Sequence, residues 1–189
     1  MSSPVALRPL IPSTPSSGPT RLRVPDLLNA TDQAADDVLS GRCDHLLPEG
    51  GVPPDERWFT RIRGDDELDL WLISWVPGRS TELHDHGGSL GALTVLSGSL
   101  NEFRWDGRRL RRRRLDAGDQ AGFPLGWVHD VVWAPRPVSA SGAIAAPLQP
   151  TLSVHAYSPP LTAMSYYQVT DRNTLRRQRT ELTDQPEGP

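Results

Sequence analysis

The sequence predicts an all-β dominated chain: a small antiparallel barrel or sandwich with one minor N-terminal helix. Three observations carry this. From Arg57 onward, short runs rich in β-branched and aromatic residues dominate the chain. The chain carries 16 Gly and 19 Pro, and Gly/Pro turns separate those runs. Helical periodicity is confined to one stretch near the N-terminus.

The elements follow in chain order. Residues 1–23 form an arm so dense in Pro and Ser that it cannot build a ladder or a core, so a flexible segment is expected. Residues 24–170 are expected to form a single domain. Within it, residues 26–40 place Leu27, Leu28, Ala34, Ala35, Val38 and Leu39 in a rough apolar stripe, with Gly41 as a stop. Strands are expected at residues 58–63 and 68–76, around a Gly-Asp-Asp turn. Further strands run through residues 90–105, with a hairpin tip at Asp106-Gly107. Residues 135–150 read as a long surface loop, and residues 171–189 as a polar tail, either helical or frayed.

Composition removes several function classes. The formal net charge of −3 gives no field favouring nucleic acid. The arginine-rich run at 108–115 then reads as a solvated strand rather than a nucleic-acid patch. No apolar stretch reaches membrane-spanning length, and the first residues lack the pattern of a secretory signal. With Cys43 as the sole cysteine no internal disulfide forms, so a cytoplasmic protein is expected. A monomer is expected as well.

The chemistry lies in the histidines. His84 and His86 are two apart, so on a strand both imidazoles face one side. With His129 from another strand they make a three-nitrogen pocket suited to Fe, Zn, Cu or Ni. Glu82 shares the parity of His84, which leaves a carboxylate ligand open, while Asp85 should point outward. The surrounding spacing raises the weight of this cluster. Gly78-x5-His84-x-His86-x4-Gly91-x6-Gly98 and, further on, Gly118-x5-Pro124-x-Gly126-x2-His129-x3-Trp133 resemble, in order, the two motifs of the cupins, which are jelly-roll-like β-barrels. Where cupins often supply a Glu ligand this chain has Gly91. Three neutral imidazoles would leave a divalent metal its full charge and about three open positions, which favours an anionic chelating ligand such as a thiolate.

A second string narrows the resemblance. Gly91 in the Glu position, followed by Ser153-Val-His155-Ala-Tyr157-Ser158-Pro159-Pro160, is similar to the cysteine dioxygenase family over roughly residues 57–164. That resemblance implies a mononuclear Fe(II) enzyme adding both atoms of O2 to the sulfur of L-cysteine. His84, His86 and His129 match the iron ligands. Ser153, His155 and Tyr157 match a catalytic row in which Tyr157 offers its phenol to substrate or oxygen. Arg61 matches the residue that binds the substrate carboxylate, with Arg57 and Arg63 as nearby rivals of the same parity. Ser158-Pro159 matches a cis peptide bond. The animal enzymes carry, at the position of Gly91, a Cys crosslinked to the tyrosine matching Tyr157, so no thioether is expected here. The resemblance leaves open 3-mercaptopropionate or another small thiol as substrate. A non-catalytic metal-binding cupin is the remaining alternative.

Overall fold

The computed structural model describes residues 21–135 and 149–186. The expected arm (1–23) and long loop (135–150) lie largely outside these residues. Along the described chain run a helix α1 (Val24–Leu39), a 3₁₀ turn (Asp44–Leu46) and eleven strands. The strands are β1 (Phe59–Gly64), β2 (Asp69–Trp75), β3 (Leu83–Asp85), β4 (Leu90–Ser97), β5 (Ser99–Trp105) and β6 (Leu110–Asp116). They continue with β7 (Gln120–Phe123), β8 (His129–Trp133), β9 (Thr151–Ser158), β10 (Ala163–Val169) and β11 (Leu175–Leu182).

Two antiparallel sheets form the expected jelly-roll-like barrel. The first has the order β1-β2-β9-β4-β7 and the second β11-β10-β3-β8-β5-β6. Strand β2 shows why the fold forms: all seven of its residues are buried. Trp71, Ile73 and Trp75 enter the interior cluster with Leu93, Phe123 and Tyr157. Leu70 and Leu72, on the alternate face, join a second cluster with Leu27, Ala34 and Ala35 of the helix. The period-2 alternation therefore feeds two cores from one sheet.

Helix α1 covers the outer face of the first sheet. Its buried residues, Leu27, Thr31, Ala34 and Ala35, recur at helical spacing. The Asp26 carboxylate accepts from the Arg23 N–H at 2.7 Å, and Pro25 lies in the first turn, where no N–H is needed. The Thr31 and Thr94 hydroxyls lie 2.8 Å apart and tie helix to sheet.

Two local expectations change. The tail expected to be helical or frayed contains β11, which pairs with β10 along its whole length. The arginines at 57, 61 and 63 do not keep one parity, because the β1–β2 register shifts between Arg61 and Arg63. Arg61 opposes Trp71 of the interior, whereas Arg63 opposes Leu70 of the helix side and pairs with Asp65. The arginine run lies on the edge strand β6, where Arg111 pairs with Asp106 and Arg114 with Asp116.

Candidate metal centre

The three histidines converge from two neighbouring strands. His84 on β3 is in register with His129 on β8, and His86 lies one residue past the end of β3. All three are buried, and their ligand atoms lie within 4.8 Å of one another. Period 2 brings His84 and His86 to one face, as the spacing implies. Their Nε2 atoms are 3.3 Å apart.

The outer nitrogens fix the tautomers. His84 Nδ1 lies 2.9 Å from the Glu82 carbonyl oxygen, which can only accept, so Nδ1 carries the hydrogen. His129 Nδ1 donates to the Glu102 carboxylate at 3.2 Å. On both rings Nε2 is then left as a lone pair. His129 Nε2 is buried and has no hydrogen-bond partner among the described residues. Lone pairs converging in a closed interior repel unless a cation lies between them, and neutral imidazoles backed by acceptors are what a divalent metal requires. The residues present fit such an ion.

Sequence reasoning missed Glu102. It is only 2% exposed, and its oxygens take three donors: His129, Trp127 Nε1 at 3.0 Å and Arg113 at 2.8 Å. Burial by itself would raise the carboxyl. The hydrogen bond from His129, backed by Trp127 and Arg113, outweighs it and holds the group at about 2. The available signal was an acid on β5 with the inward parity of Leu100. Glu82 is corrected in the other direction. Its φ of 60° breaks the strand alternation, and its exposed carboxylate pairs with Arg179, so it contributes a backbone carbonyl rather than a ligand. Asp85 faces away from the histidines, yet it is buried and accepts from the Tyr167 hydroxyl at 2.6 Å.

A second row faces this centre from the opposite sheet. Ser153, His155 and Tyr157 are all fully buried on β9. Trp75 Nε1 donates to Ser153 Oγ at 2.8 Å, Ser153 Oγ lies 3.0 Å from His155 Nε2, and His155 Nδ1 lies 3.2 Å from Tyr157 Oη. The Tyr157 ring stands 5.0 Å from that of His86, edge to face. Gly91 is in register with Tyr157. A Cβ there would fall 2.9 Å from Phe123 and 3.3 Å from His86, so any side chain at this position would require the Phe123 ring to shift. The peptide bond Ser158-Pro159 is cis. Cys43 lies between α1 and the 3₁₀ turn, remote in sequence from the Gly91 position, and burial pushes its thiol up.

Arg61 faces inward from β1. Its guanidinium lies 4.6 Å over the Trp71 ring and 3.5 Å from the Asp69 carboxylate, with 43% of the side chain exposed. Burial pushes Asp69 up, against the opposing charge of Arg61. Asp69 is in register with Tyr157, which puts this pair at the Tyr157 end of the barrel. Arg57 lies deeper along the same strand pair, 4.5 Å over Trp75.

Fold and histidine cluster together define a cupin whose candidate metal site is built of nitrogen donors. The family model described as Cysteine dioxygenase type I matches residues 53–170, more than half of the chain, and the chain belongs to that family. The match includes the three histidines and the row on β9, and excludes α1 and β11. The chain is 28% identical to the Cysteine dioxygenase type 1 of Danio rerio over 101 residues, 51% of this chain and 48% of that protein. It is 23% identical to that of Homo sapiens over 128 residues, 64% of this chain and 58% of that protein. The chain thus spans about half the length of the curated relatives it matches. Among solved structures it is similar to a conserved protein with a double-stranded beta-helix domain from Klebsiella pneumoniae (TM-score 0.45, 17% identity, 72% of this chain and 93% of that one). It is also similar to a cupin superfamily protein from Desulfitobacterium hafniense (TM-score 0.43, 11% identity, 57% and 81%). Among the described residues, no helix is long and apolar enough to cross a membrane.

Proposed function

We propose that this chain is a mononuclear non-haem Fe(II) thiol dioxygenase that uses O2 to oxidise L-cysteine to cysteine sulfinic acid. The observation that carries the reading is the hydrogen-bonded row Ser153–His155–Tyr157 facing the three-histidine cluster across the barrel. A metal-binding cupin without catalysis needs the histidines but has no use for a buried phenol at the end of a relay.

His84, His86 and His129 would hold the iron. Bound there, iron would supply a site where the substrate thiol ionises and O2 becomes reactive. The protein side chains do the rest. Arg61 binds the substrate carboxylate, for which its planar fork and permanent charge suit it. Ser153 accepts from the Trp75 indole and so has its own hydrogen to pass to His155 Nε2. His155 then carries its proton on Nδ1 and donates to Tyr157 Oη, which holds the phenol in place beside the reactants. With Gly91 opposite, Tyr157 works as a free phenol rather than as a thioether. The closed interior keeps water away from the reacting atoms.

Iron content measured alongside thiol-dependent O2 uptake tests this. Iron-loaded protein given L-cysteine should consume O2 and form the sulfinate. No uptake with any small thiol overturns the reading. A higher kcat/KM for 3-mercaptopropionate than for cysteine overturns the substrate assignment alone.

A further inference from the structure

The cupin core ends with β10, yet the chain adds one more strand, whose Arg177, Arg179 and Glu181 each make side-chain contacts within the fold. The β10–β11 register slips between Tyr166 and Tyr167, so that Tyr166 opposes Arg179 and Tyr167 opposes Arg177. Neighbouring residues of β10 face opposite sides of the sheet, so the bulge sends one arginine to each side.

On the inner side, Arg179, Tyr166 and His84 form one rung across β11, β10 and β3. The Arg179 guanidinium lies 3.8 Å over the Tyr166 ring, whose centroid is 6.2 Å from that of His84. The same guanidinium reaches Glu82 at 2.9 Å, and the Glu82 carbonyl is the acceptor that orients His84 Nδ1. Glu82 holds a left-handed φ of 60°, a conformation that a side chain other than glycine adopts at a cost. Arg179 therefore anchors the strained residue that aims His84. On the other side, Arg177 donates to Tyr167 Oη at 3.2 Å, and that hydroxyl donates at 2.6 Å to Asp85, between the two histidines.

We propose that β11 is a positioning clamp for the His84-Asp85-His86 strand. Arg179 acts on His84 through Glu82 and Tyr166, and the Arg177–Tyr167 pair acts through Asp85. This rests on the three-histidine reading of the site. It assigns a role in metal binding to residues outside the 53–170 match. None of the three touches the metal position, so each is a positioning residue rather than a ligand.

Co(II) titration of metal-free protein, followed by its visible absorption bands and by competition with a chelator, tests the clamp independently of turnover. Arg179→Ala and Tyr167→Phe should each weaken Co(II) binding, by about tenfold for the first, the lower end for residues supporting a ligand. Arg179→Lys should recover part of the loss. The melting temperature of the metal-free variants should stay within a few degrees of the parent, about the shift of ~1 kcal/mol in a chain of this size. Parent-like affinity in both Arg179→Ala and Tyr167→Phe overturns the clamp. So does a loss of affinity that tracks an equal loss of metal-free stability, which would make β11 an ordinary structural strand. His129→Ala separates the two readings: if it binds Co(II) as the parent does, the three-histidine site itself fails.

Discussion

The proton on Tyr157 is placed by its neighbours rather than by its own chemistry. The row runs from the Trp75 indole N–H through Ser153 and His155 to Tyr157 Oη, whose phenolic hydrogen is the last in it. Tyr157→Phe keeps the ring and removes that hydrogen. Turnover should fall about 10²-fold with metal content unchanged, measured as O2 uptake per bound iron. Glu102 is the corresponding control on the metal side. Glu102→Gln keeps the shape but weakens the acceptor for His129 Nδ1, so metal affinity should fall roughly tenfold or more in chelator competition. The clustering of His84 with His86 could be read from the sequence because period 2 makes residues two apart neighbours. Glu102 could not, since its pairing with His129 depends on β5 meeting β8, which no local spacing encodes. Glu82 misled for the opposite reason: one left-handed φ cancelled the parity on which its reading as a ligand relied.

At the scale of elements, α1 shows what patterning predicts well. The apolar stripe and Gly41 bound a helix within two residues of its observed ends. Its anchor is Leu27, fully buried against the first sheet. Leu27→Ala should destabilise the fold by about 2–5 kcal/mol in denaturant titration, because it removes a fully buried side chain and leaves a cavity between helix and sheet. Strand β11 shows the limit. Its sequence, LRRQRTEL, offers no apolar face, because it is an edge strand whose contacts are stacking, ion pairs and a ladder to β10. A strand held this way looks like a frayed tail in any hydrophobicity reading. The bulge in β1 is equally silent in sequence, and it is what removes Arg63 from contention as a substrate-binding residue.

At the scale of the molecule, short strands separated by Gly/Pro turns imply the barrel, and the two motifs give the corners and the three clustered histidines in order. A metal seated on three buried imidazoles binds the folded chain far better than the unfolded one. At a free-metal concentration a hundred times Kd this adds about 2.7 kcal/mol. Chelator treatment should therefore lower the melting temperature by roughly 5–10 °C, recorded by scanning calorimetry before and after metal return.

One arrangement reaches further. The three histidines ride on the second sheet, while Ser153, His155 and Tyr157 ride on the first. The part that would grip the reactant and the part that would hand over hydrogen are thus mounted on separate walls, and Phe123 of the first sheet reaches across them, its ring centroid 4.3 Å from that of His129. A volume change at Phe123 would therefore act on the spacing across which the two walls must cooperate.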